Sequence, residues 1–211
     1  MDCMEAMADI KDKQFDLAIV DPPYGIAFHL NNNRVYKDGK IWDNEIPNPE
    51  YFKQLFRVSK DQIIWGGNYF IEYLYNTRCY LIWDKKQSDK QDNAMSELAW
   101  TSFDAVSKTF YGMRVGNHGF LKAIEPRIHP TQKPISLYMW LLQNYAKEGE
   151  TILDTHGGSM SSVIACIDKG FSIDCYERDK DYFDSAVKRI KNHLSQGDMF
   201  RKEINLIIIN A

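Results

Sequence analysis

Residues 15–24 read Phe15-Asp16-Leu17-Ala18-Ile19-Val20-Asp21-Pro22-Pro23-Tyr24. Leu17 to Val20 form an apolar run of strand length, far shorter than a buried helix needs. Pro22 and Pro23 stop any regular element, because proline lacks an amide N–H and fixes its own φ. The segment therefore predicts a buried strand that delivers a carboxylate, Asp21, at its carboxyl end. In open α/β sheets ligands bind just beyond that end of the strands, so the same ten residues point to a fold and to a site.

After this segment, residues 25–47 form a long polar loop, and loops of that length in compact domains tend to be functional. Pro49–Ser59 predicts a helix, Gln62–Trp65 a strand ending at Gly66-Gly67, residues 68–75 a short helix, and Tyr80–Trp83 another strand. Residues 84–93 are a charged loop in which Lys85 and Lys86 read as surface residues. Glu97–Phe103 and Ala105–Phe110 predict two strands or one bent one. A helix over Pro134–Lys147 starts at proline and carries Leu137, Leu141, Leu142 and Tyr145 at helical spacing. There follow a strand (Thr151–Asp154), a glycine-containing turn, a helix (Met160–Lys169), a strand (Phe171–Glu177) and a long amphipathic helix (Tyr182–Leu194). The tail Leu206–Ile209 is strand-like and has no obvious place. Strands alternating with helices predict an α/β fold, a mostly parallel sheet covered by helices on both faces.

The 211 residues fit a single domain, 1–211, with one full-sized core. Trp65, Trp83 and Trp100 lie on strand-like runs and read as core; His29 and His118 read as solvated loop residues. Four widely spaced cysteines contain no CxxC pair, which argues against a zinc site or a disulfide scaffold and for a reducing cytosol. No run approaches the ~20 apolar residues that cross a bilayer, so no membrane association is expected. A formal charge of −3 gives no global attraction to nucleic acid. Between Arg78 and Lys133, nine basic residues against six acidic ones permit a phosphate-facing side and prove none.

The chemistry of the segment Asp21-Pro22-Pro23-Tyr24 is that of activating an aryl amine. Such an amine is a poor nucleophile because its lone pair is delocalised into the ring. A carboxylate and a carbonyl accepting its two N–H bonds favour a more tetrahedral nitrogen and steady the charge that develops on attack. Asp21 offers the carboxylate, Pro22 a carbonyl with no competing N–H, Pro23 rigidity, and Tyr24 a flat face for an extruded base. Read structurally, the same residues are a strand ending in a proline turn. Far along the chain, Ile152-Leu153-Asp154-Thr155-His156-Gly157-Gly158-Ser159 runs from strand through turn into helix, and Glu177 closes the next strand. Small residues that admit a ligand to the backbone, followed by an acid for ribose hydroxyls, are the logic of an adenosine-binding half-unit. The turn is not GxGxxG, which disfavours a dinucleotide-dependent dehydrogenase.

Together these segments resemble the amino-methyltransferases of DNA, acting at N6 of adenine or N4 of cytosine. Further matches are Asp2-Cys3, Ile64-Trp65-Gly66-Gly67-Asn68-Tyr69-Phe70, His129-Pro130-Thr131-Gln132-Lys133-Pro134 and Tyr176-Glu177-Arg178. The order, DPPY first and cofactor turn last, is that of the permuted group called beta, and the resemblance spans roughly residues 2–195. It implies a Rossmann-like methyltransferase fold, S-adenosyl-L-methionine as cofactor and DNA as partner. It places Asp21, Pro22, Pro23 and Tyr24 at the methyl-transfer site. It places Asp154, Gly157 and Ser159 beside the methionine part of the cofactor, Glu177 on its ribose, Asp2 and Cys3 near its adenine and Lys133 at the pocket's edge, with Asp21, His156 and Gly158 also among the cofactor-binding residues. No metal is implied.

Two departures stand out. The family's cofactor turn usually reads Asp-Pro-Phe-x-Gly-Ser-Gly, whereas Thr155, His156 and Met160 replace Pro, Phe and the last Gly here. The family also has a strand leading into Asp-Cys, and its loss ahead of Asp2 is expected to weaken one sheet edge and the adenine pocket. Asp21 favours adenine, since cytosine members more often begin the tetrapeptide with Ser. Methylation of cytosine N4, or a non-catalytic methyltransferase-like subunit, are the alternatives. A small target-recognition segment is expected at about 85–127, with help from a homodimer or specificity partner. The expected setting is restriction-modification in a bacterial or phage-encoded cytoplasmic enzyme.

Overall fold

The structure, a computed structural model, describes residues 2–26, 43–87, 94–112, 127–195 and 206–209. The elements in chain order are α1 (Cys3–Asp9), β1 (Phe15–Val20), α2 (Pro49–Val58), β2 (Ser59–Trp65), β3 (Tyr80–Asp84), β4 (Ser96–Thr101), β5 (Lys108–Tyr111), α3 (Ile135–Tyr145), β6 (Thr151–Asp154), α4 (Ser161–Lys169), β7 (Ser172–Tyr176), α5 (Lys180–Ser195) and β8 (Leu206–Ile209). They build an eight-stranded sheet in the order β5-β3-β4-β2-β1-β6-β7-β8. Pairing is parallel except where β4 runs antiparallel to β2 and β3. This is the expected α/β architecture, a mostly parallel sheet between two layers of helices.

Period-two alternation in β1 explains how the sheet sits between two layers. Leu17 and Ile19 face a core shared with α3, α4 and α5, while Ala18 and Val20 face a second core with α1 and α2. All four are essentially inaccessible to solvent, as a central strand requires. Trp65 and Trp83 lie in the first core and Trp100 in the second, as expected of strand tryptophans.

Local signals fix the helices. Asn48 caps α2 by accepting from the Tyr51 amide at 3.0 Å, and Pro49 follows in the first turn. Tyr51, Phe52, Leu55 and Val58 then point inward at helical spacing.

Some expectations are corrected and others completed. α1 is a helix the sequence reading did not anticipate; Asp2 caps it by accepting from the Met4 amide at 2.9 Å. The short helix expected at 68–75 is only a 3₁₀ turn, Gly67–Tyr69, followed by irregular chain. The stretch from Glu97 to Phe110 makes two separate strands, β4 and β5. The tail finds its place as β8, parallel to β7 with Tyr176 opposite Ile209, so the sheet edge beyond β7 is covered. Most of the 25–47 loop, His29 and His118, and residues 88–93 and 113–126 of the recognition segment lie outside the described residues. Among the described residues no helix is long and apolar enough to cross a membrane.

Candidate active site

Asp21 follows β1 directly, and both its oxygens are engaged. Oδ1 accepts from the Tyr24 hydroxyl at 2.6 Å, and Oδ2 pairs with Lys133 Nζ at 2.5 Å. Burial pushes the Asp21 carboxyl above its ordinary range, against the opposing pull of Lys133. Two features hold this corner. Asp43 Oδ1 accepts from the backbone amides of both Tyr24, at 2.7 Å, and Gly25, at 3.0 Å. The Tyr24 ring packs against Gly66, where a Cβ would stand 2.2 Å from it and φ is +73°; only glycine fits there. Tyr69 stacks on Tyr24 with centroids 5.0 Å apart and planes at 15°, and Phe70 meets it edge-on. Tyr24 thus already has one aromatic neighbour on its stacking surface.

Lys133, just ahead of α3, is buried and bridges two carboxylates: Asp21, and Glu97 Oε2 at 3.1 Å. Glu97 Oε1 in turn pairs with Lys85 Nζ at 2.6 Å. Lys85, read from sequence as a surface residue, is 4 % exposed, and Lys86 alone faces solvent. Glu97 was not singled out at all. Its only trace in the sequence is an acid inside the apolar pattern of β4.

The second half of the site is the turn between β6 and α4. The Gly157 amide donates to the Tyr176 carbonyl at 2.8 Å, and a Cβ on Gly157 would come within 2.7 Å of Cys175 Sγ. That close approach of turn to β7 is what the glycine permits. Asp154 is buried and does not line the cavity. It braces the turn, accepting from the His156 amide at 3.0 Å and the Ser162 hydroxyl at 2.5 Å, and burial pushes its carboxyl up to about 6. Burial also lowers His156 to about 4, so its imidazole is neutral at physiological pH. Glu177 accepts from the amides of Gly158 and Asp179, each at 2.7 Å.

A cavity of about 640 Å³ joins the two halves. It is lined by Asp21 and Pro23, by Lys133, by His156, Gly157, Gly158 and Ser159, and by Asp2, Cys3 and Glu177. Of the expected site residues, Pro22, Tyr24 and Asp154 are not on its wall. His129, Gln132, Tyr138, Arg178 and Tyr182 are, and sequence reasoning had given none of them a role. Among the described residues no group of three or more His, Cys, Asp or Glu is placed to hold a metal.

The fold is shared with solved methyltransferases. M1.HpyAVI, in complex with S-adenosyl-L-methionine, superposes with a TM-score of 0.58 at 18% identity over 89% of this chain and 96% of that one. A candidate DNA modification methylase of Thermus thermophilus, also complexed with S-adenosyl-L-methionine, gives 0.59 at 15% identity over 99% and 97%. The cytosine-N4-specific PvuII DNA methyltransferase gives 0.58 at 11% identity over 97% and 93%. Identities this low speak to the fold alone. Residues 64–188, more than half of the chain, match the family model for DNA methylases of the N6/N4 type. The match runs from the end of β2 into α5, including Glu97, Lys133 and the cofactor turn, and by it this chain belongs to the DNA methylase family of N6/N4 amino-methyltransferases.

Proposed function

We propose that the chain uses S-adenosyl-L-methionine to methylate N6 of adenine in DNA. The observation that carries this reading is that the Asp21 carboxylate opens into the same cavity as the glycine turn and Glu177. The residues present fit the cofactor. Glu177 lines the cavity with a carboxylate of the kind that binds vicinal hydroxyls, and Gly157 and Gly158 line it as well. His156 offers a neutral flat surface, and Asp2 and Cys3 close the far wall. When bound, the cofactor supplies a methyl group carried on a cationic sulfur.

The chain's own residues do the rest. Tyr24 and Lys133 occupy two of the roughly four acceptor positions of the Asp21 carboxylate, so it can still take an N–H bond from a target amine. The resemblance makes the Pro22 carbonyl the second acceptor; Pro22 itself is buried, its neighbours Asp21 and Pro23 line the cavity, and Asp43 holds the chain just after it. Positive charge growing on the nitrogen is stabilised by these preorganised acceptors. Because burial raises the Asp21 carboxyl, the same group is suited to accept the proton the nitrogen then sheds.

Either exocyclic amine suits these acceptors. Asp as the first residue of the tetrapeptide supports adenine, while one structural neighbour is cytosine-specific. Asp21→Ala should lose at least a hundredfold in methyl transfer with its melting temperature and cofactor affinity retained. Activity within tenfold of the parent would remove Asp21 from this role.

A further inference from the structure

Four side chains of alternating charge run in a line beneath the site: Lys85, Glu97, Lys133 and Asp21, joined by contacts of 2.6, 3.1 and 2.5 Å. They come from four separate places, after β3, within β4, before α3 and after β1. The two lysine side chains are 5 % and 3 % exposed. Buried ion pairs of this kind are poor stabilising devices, since desolvation offsets their attraction. Their presence beside a reacting centre calls for a chemical reason.

The reason lies in what Lys133 does to Asp21. A cation paired to the carboxylate that must steady a growing positive charge opposes that charge. Lys133 therefore needs a second place to put its ammonium, and Glu97 Oε2 is already within ion-pair distance of it. We propose that Glu97 is a positioning residue that takes up the Lys133 ammonium when Asp21 turns to the target amine. Lys85 anchors the other oxygen of Glu97 and so fixes where that carboxylate points. Burial alone would raise the Glu97 carboxyl, but Lys133 and Lys85 outweigh it and hold it at about 2, so it stays anionic throughout. The other groups facing the ammonium are the Tyr24 hydroxyl at 3.3 Å, the ring of Trp65 on β2 at 5.5 Å and, near Tyr24, Tyr138 on α3. None of these offers a negative charge at neutral pH.

This inference rests on the proposed methyl transfer, and the experiment separates the two. Turnover of labelled methyl groups on DNA is measured from pH 7 to 9.5 for the parent, Glu97→Gln and Glu97→Gln/Lys133→Met, with cofactor affinity from calorimetry. The parent should be active; a folded, cofactor-binding but inactive parent would overturn the functional reading and this one with it. Glu97→Gln should lose at least tenfold in kcat near pH 7.5 with cofactor affinity within threefold. Its loss should shrink as pH rises, because a lysine left with Asp21 alone gives up its proton more easily and then frees the carboxylate. The double variant should exceed Glu97→Gln by at least threefold, since without the ammonium no second partner is needed. A Glu97→Gln turnover within twofold of the parent, a loss equal at every pH, or a double variant no better than the single one would each overturn the role. Should Glu97→Gln not fold, Glu97→Asp draws the carboxylate back while keeping its charge, and the same alkaline recovery is expected of it.

Discussion

Asp43 shows how much of the site depends on a residue with no chemistry of its own. One of its oxygens receives two consecutive backbone amides, so it sets the path of the chain through Tyr24 and Gly25. Asp43→Ala would leave both amides without their carboxylate, at roughly 1–3 kcal/mol for each donor that water cannot reach. A drop of at least tenfold in kcat with little change in cofactor affinity is expected, and unchanged kcat would show that the prolines alone hold the corner. His156 carries a different signature. Its folded-state value of about 4 lies below the ordinary 6.5, so between these pH values the unfolded chain takes up a proton that the folded chain refuses. The stability it contributes is complete above pH 6.5 and is lost as pH falls toward 4. Asp154 works in the opposite sense: raised to about 6, it favours the folded chain at low pH and loses that contribution as pH rises through 6. His156→Phe should therefore lose less melting temperature than the parent between pH 6.5 and 4.5, and identical slopes would contradict the assignment. Asp21 was legible in the sequence because prolines follow it; Asp43 was not, because nothing local reveals that its carboxylate folds back 19 residues.

Elements with strong local signals were read closely: β1, α2, β6 and α4 match their expected bounds to within a residue, and β7 to within one residue at each end. The region after Gly66-Gly67 departs from the expected helix because its aromatics Tyr69, Phe70 and Tyr73 pack on Tyr24 and Phe52 instead of lining one helix face. α1 was missed because seven residues carry too little periodicity to stand out. The departure at Met160 has a physical counterpart at the start of α4. Met160 caps that helix in the left-handed region, φ 54°, where a side chain costs about 1–2 kcal/mol. Yet its side chain is fully buried, and deleting a buried methionine costs about 2–5 kcal/mol. Burial wins: Met160→Gly should destabilise by about 1–3 kcal/mol although it relieves the backbone, as thermal melts would show. A rise in melting temperature would mean that the strain outweighs the packing.

For the molecule as a whole, alternation of strands and helices revealed a parallel sheet but not the order of its strands. That order brings Lys85, Glu97 and Lys133 together beneath Asp21, and no spacing in the sequence encodes it. The same applies to β8, whose partner is set by which edge remains open. β8 covers β7, the strand that leads into Glu177. Removing residues 206–211 should lower the melting temperature and weaken cofactor binding more than tenfold, and unchanged values in both would show that β8 only decorates the edge. The two halves of the site, far apart in the chain, meet in one cavity because β1 and β6 are neighbours in the sheet.

Methyl transfer is read by incubating the protein with methyl-labelled S-adenosyl-L-methionine and unmethylated DNA, then digesting the DNA to nucleosides. Label in N6-methyldeoxyadenosine is the expected result. Label in N4-methyldeoxycytidine would contradict the choice of base, and no label from a folded, cofactor-binding sample would contradict the reaction itself.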